Sequence, residues 1–134
     1  MSRSGLSEDE GDDPWAFIRW RGAVASALRG KKGQAFLREM LAALDAMPEK
    51  RLIEGELQEP SGDVCAIGCV GRARGMDMTI FDTYDYERIA GALGVNEKLV
   101  QEVEWINDEN YHPSPEQRWK DVREWVVENL KTPA

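Results

Sequence analysis

The sequence predicts a mainly α-helical protein: one small domain of five or six helices, with room for one short β-hairpin within 49–70. Three observations predict it. Apolar residues recur at three- and four-residue spacing along most of the chain. Helix start and stop residues punctuate that pattern. A length of 134 residues suits a single modest core.

Residues 1–12 are mostly Ser, Gly, Glu and Asp with little apolar content, so 1–13 reads as a disordered acidic tail and 14–131 as the helical domain. Asp13-Pro14 is a helix start, an acid before a proline at the first helical position. The first helix is expected from about Trp15 to Arg29. Phe17, Ile18, Ala25 and Leu28 lie on one face, flanked by Trp20, Val24 and Ala27. Gly30-Lys31-Lys32-Gly33 predicts a turn or sharp kink. A second helix follows over about 34–47, with Phe36, Met40, Leu41 and Leu44 as its stripe. Pro48 stops it.

Residues 49–75 admit helix or strand. Glu59 to Asp63 is a dense turn cluster, and Val64 to Val70 is apolar with small residues. The small residues favour a helix over 64–74, closely approached by another element. Met76, Met78, Ile80 and Phe81 are expected to lie over the core. Asp82 or Thr83 would cap a helix of about 84–93, closed by Gly94. Asn96 would cap the next, about 97–107. Ser114-Pro115-Glu116-Gln117 is a capping box opening a last helix to about Leu130. Trp119, Val122 and Val126 should be largely buried there.

The formal net charge is -8, but the charge is segregated. Residues 1–13 hold five acids and one base, and 14–51 hold eight bases and three acids. Residues 78–134 hold twelve acids and six bases. Arg19, Arg21, Arg29, Lys31, Lys32 and Arg38 run without an intervening acid, and Trp20 sits between two arginines. These six form the candidate binding segment, suited to a polyanion or an acidic protein. The alternative is a solvated helix face paired internally with the acidic C-terminal half.

Residues 85–105 have the spacing of a helix-turn-helix, with Ala90 at the crossing, Gly94 in the turn and Val100 and Val103 pinning the second helix. Glu97, Glu102 and Glu104 against Lys98 give that helix the wrong sign for a DNA groove. A structural helix pair is therefore the favoured reading.

Catalytic and metal chemistry find little support. Cys65 and Cys69 stand four apart, but His112 is the only histidine, too few ligands for zinc. No Ser or Cys stands in a recognisable nucleophile setting. His112 reads as a surface loop residue, and 107–110 lacks the spacing of a calcium loop. No cofactor is expected. Two cysteines make no disulfide framework, so a reducing compartment is the simplest setting. No apolar run approaches the ~20 residues of a membrane span, and the N-terminus lacks a signal-type apolar core. A cytoplasmic location is the expectation.

The segments RWRGAVASALRGKKGQAFLREMLAALDAMP (19–48), GDVCAIGCVGRARGMDM (62–78) and SPEQRW (114–119) carry a resemblance. On them the chain resembles a family of small phage- and prophage-associated bacterial proteins. The acidic tail falls outside it, and no activity or site residue comes with it. What the resemblance implies is an accessory protein acting in the host cell by binding a host or phage protein. The expectation is thus a non-enzymatic interaction protein. Two alternatives stand beside it: a nucleic-acid-binding regulator using 19–38 or 85–105, and an acidic nucleic-acid mimic using carboxylates of 97–128.

Overall fold

A computed structural model of the protein describes residues 14–131. The tail expected at 1–13 lies outside the described residues. Six helices follow in order: α1 (Pro14–Arg29), α2 (Lys31–Ala46), α3 (Ala66–Ala73), α4 (Tyr86–Leu93), α5 (Glu97–Asp108) and α6 (Pro115–Asn129). The fold is mainly helical and forms one domain. Among the described residues no helix is long and apolar enough to cross a membrane.

Two helices organise the rest. α2 packs against α1, α3 and α6, while α5 packs against α1, α3, α4 and α6. α2 earns this place by a clean stripe: Phe36, Leu37, Met40 and Leu44 are all buried. α3 sits between the two hubs. Every residue from Val64 to Gly71 is buried, so all but the last two residues of this short helix, Arg72 and Ala73, lie inside on every side. A Cβ on Gly68 would stand 1.8 Å from the Leu57 carbonyl oxygen, which explains the small residues there.

The hairpin expected within 49–70 is reduced to one antiparallel bridge, Gln58 to Val64. The turn between them closes through Glu59 N to Asp63 O at 2.9 Å. The 47–65 segment is held instead by side chains from α5 and α6. Asn107 accepts from Ala66 N at 3.1 Å and donates to Ile53 O at 2.9 Å. Arg118 donates to Asn107 O at 2.9 Å and Leu52 O at 3.2 Å. Both residues are buried, so their hydrogen bonds replace water that the site excludes.

Several local expectations shift. The inner face of α1 centres on Trp20 and Val24, each 5% exposed, while Ile18 is 56% exposed. Apolar residues wrap far around this helix, so spacing alone misplaces the stripe by about one residue's 100° step. The expected turn at 30–33 shrinks to Gly30, and Lys31, Lys32 and Gly33 already form the first turn of α2. Gly33 serves a close crossing: its Cβ would meet the Ala27 carbonyl oxygen at 1.8 Å. Met78 is buried, but Ile80 is exposed, because the 3-10 turn Met78–Ile80 rotates it outward.

The caps follow the same pattern of partial agreement. Asp85, not Asp82 or Thr83, caps α4, accepting from Arg88 N at 3.2 Å. Gly94 closes α4 at φ 73°, and Asn96 caps α5 as expected. Ser114 caps α6 through Gln117 N at 3.0 Å. The Gln117 side chain turns away to Asp121 Oδ1 at 2.8 Å, so half of the capping box forms. Val122 and Val126 are fully buried; Trp119 is half-buried, donating to Leu44 O at 3.1 Å.

Candidate functional site

The six candidate residues are all exposed, but they do not share one face. Arg19 and Arg21 are two apart on α1 and therefore point about 200° apart. Arg21 lies 5.9 Å from the Phe17 ring centroid. Trp20 between them is buried and offers no stacking surface. What the structure does bring together is Arg29, Lys31 and Lys32, at the junction of α1 and α2. Arg38 follows seven residues after Lys31, on the same side of α2 and about 10 Å along it.

This junction is electropositive for a second reason. Gly30 gives α2 an N-cap with no capping side chain, and no acid stands in the first turn. The helix N-terminus carries a partial positive charge, and two lysines are added to it. Lys31 and Lys32 line a cleft of about 600 Å³ between the junction and the α4–α5 turn. Gly91, Gly94, Val95 and Asn96 form its far wall.

Internal pairing does not neutralise the junction. Among the described residues, Arg29, Lys31, Lys32 and Arg38 make no ion pair. The pairs that exist run the other way. Two acids of α2, Glu39 and Asp45, take Arg74 and Arg123 at 2.7 and 2.6 Å. The hydrogen bond from Arg74 holds the Glu39 carboxyl below its usual range, and that from Arg123 does the same for Asp45. Every arginine from Arg51 onward is engaged: Arg51, Arg74, Arg118 and Arg123 in ion pairs, Arg72 on Gly62 O, and Arg88 over Phe81.

The helix pair α4–α5 has the expected shape, with Ile89, Ala90, Leu93, Val100 and Val103 buried. Its second helix is enclosed: no residue of α5 is exposed. Glu102 and Glu104 are buried rather than presented to solvent. Among the acids of 97–128, Glu109, Glu116, Glu124 and Glu128 are the exposed ones.

The interior also holds groups that sequence reasoning missed. The Cys65 thiol caps α3, accepting from Gly68 N, and donates to Glu104 Oε1 at 3.3 Å. Burial, and then the nearby Asp108 carboxyl, push Glu104 up to about 8. Burial likewise raises Asp108 and the Cys65 thiol, and takes Tyr86 to about 12. Neither Glu104 nor Cys65 lines the 600 Å³ cleft. Cys69 is buried too, and among the described residues no group of His, Cys, Asp and Glu is placed to hold a metal ion.

His112 is not a surface residue. Its side chain is 1% exposed. Nε2 donates to Ile106 O at 3.0 Å, and Nδ1 meets Asp121 Oδ2 at 2.8 Å. It ties the loop after α5 to α6. Asp108 also belongs to α5, which runs one residue past its expected end near 107. Comparisons with protein-family models, curated proteins and solved structures find no match.

Proposed function

We propose that this is a non-enzymatic interaction protein whose α1–α2 junction docks an acidic surface of a partner protein. One observation carries the reading: Arg29, Lys31, Lys32 and Arg38 are exposed and make no ion pair among the described residues, while the acids on the same helix are neutralised by other arginines. Lysines at a helix N-terminus cost stability, about 0.3–1 kcal/mol each where the dipole is unscreened. Charge kept in an unfavourable place is well suited to meeting opposite charge on another molecule.

The sequence resemblance adds a setting to this reading: an accessory protein of phage or prophage origin, acting in the host cytoplasm on a host or phage protein. A nucleic-acid-binding regulator is the second reading. It rests on the same basic junction, because enclosed α5 leaves the helix pair no helix to place in a groove. The acidic-mimic reading has weaker support, with Glu102 and Glu104 buried.

Affinity capture from host lysate tests the proposal, using the wild-type chain beside Lys31→Glu/Lys32→Glu. A partner held by the wild type should be lost from the variant, and duplex DNA should not compete. Equal recovery by both chains contradicts the docking face. Displacement by DNA, with salt-sensitive binding to mixed duplexes, selects the regulator instead.

A further inference from the structure

The opposite flank of α1 borders a groove of different chemistry. A cleft of about 600 Å³ lies between α1, α5 and α6, with Trp20, Trp105 and Trp125 among its walls. It continues through Ile106, Asn110 and Trp125 into a second cleft of about 410 Å³. Exposed Tyr111 stands at that end. Both volumes fall in the ~300–1,000 Å³ range of ligand-holding sites.

The groove is acidic. Glu102 lies in its first part, and Asp121, Glu124 and Glu128 line the second. Arg21 is the one arginine on either lining, and it lies by the Phe17 ring. Indole faces and carboxylates together suit cationic side chains. Trp20 adds an independent demand. It is 5% exposed, and its indole N–H has no hydrogen-bond partner among the described residues. A buried donor left this way calls for an acceptor. A peptide supplies both kinds of group: backbone carbonyls to accept and basic side chains to stack.

We propose that this groove binds a basic peptide segment of a partner protein, with cationic side chains on the faces of Trp105 and Trp125 and against Glu124 and Glu128. The proposal goes beyond the basic junction and stands without it. The chain's own residues 1–13 have the wrong sign for the role, with five acids and one base.

The test is fluorescence anisotropy of a labelled arginine-glycine peptide against the full chain, read together with tryptophan emission. Micromolar binding with a shift in emission is expected. Glu124→Gln/Glu128→Gln, at two exposed positions, should weaken binding by about fivefold. Lys31→Glu/Lys32→Glu should leave it within about twofold, because neither lysine lines the groove and exposed charges off the site are screened. Absence of binding, unchanged tryptophan emission, or equal affinity for the Glu124/Glu128 variant overturns the proposal. Self-association in sedimentation that itself shifts the tryptophan emission overturns it in favour of a second copy.

Discussion

At the α1–α2 junction, Arg29, Lys31, Lys32 and Arg38 stand exposed and make no ion pair among the described residues. At the C-terminal end of α5, Glu104, Asn107 and the neighbouring Arg118 are buried, and each is hydrogen-bonded. The same residue chemistry does different work in the two places. Inside, a polar group joins segments that apolar packing alone would leave loose: Arg118 and Asn107 clamp the 52–66 stretch to the bundle. At the junction the lysines oppose the helix dipole rather than join segments of the fold. A tally of charge along the chain does not make this distinction, because it counts Glu104 and Glu124 alike.

The comparison breaks first if Arg118 proves dispensable. Arg118→Ala leaves the Leu52 and Asn107 carbonyls without their donor and opens space in the interior. Loss of about 3–5 kcal/mol in urea unfolding is expected. A loss below 1 kcal/mol would place Arg118 with the surface charges.

Glu104 sharpens the comparison through pH. Burial raises its folded-state pKa to about 8, from about 4.5 in the unfolded chain. The folded state therefore keeps a proton that the unfolded state gives up. This group's contribution is whole below about pH 4.5 and is lost as pH rises through 8. Glu104→Gln should raise the unfolding free energy at pH 8 by an amount on the order of 2–4 kcal/mol, and change it little near pH 4.5. Equal shifts at both pH values would contradict the buried, protonated carboxyl. The ion pairs of Glu39 and Asp45 act in the opposite sense, being lost as acid protonates carboxyls held below their usual range.

The smallest effect belongs to the junction. Lys31→Glu/Lys32→Glu replaces cations by anions at an uncapped helix start. The double variant should be more stable than the wild type by about 0.5–1.5 kcal/mol at low salt. A destabilised variant would mean that the lysines hold the fold.

Much of this architecture was legible in the sequence, for reasons that differ by element. α2 has one apolar stripe and one polar face, so its spacing sufficed. α6 announces itself by Ser114-Pro115, because a cap and a proline constrain the backbone locally. α3 left helix and strand open because it is buried on every side, and a uniformly apolar run has no period to read. Gly33 looked like part of a turn, yet its cause is the contact with Ala27, twisted into place by tertiary packing.

The candidate site was legible in the same uneven way. Arg29, Lys31 and Lys32 are neighbours in sequence and stay neighbours in space. Arg19 and Arg21 are neighbours in sequence too, but helical rotation sends them to different sides. The spacing put Trp20 only at the flank of the apolar face, and nothing in it joined Trp20 to Trp105 and Trp125 across three helices. His112 looked like a surface loop residue because its partner Asp121 belongs to another element, α6.

The most direct measurement of the central claim compares partner capture and unfolding free energy in one preparation of wild type and of Lys31→Glu/Lys32→Glu. The variant should be as stable as the wild type or slightly more so, yet retain no partner. A variant that keeps its partner, or that loses it only because the fold has failed, would contradict a docking face at the α1–α2 junction.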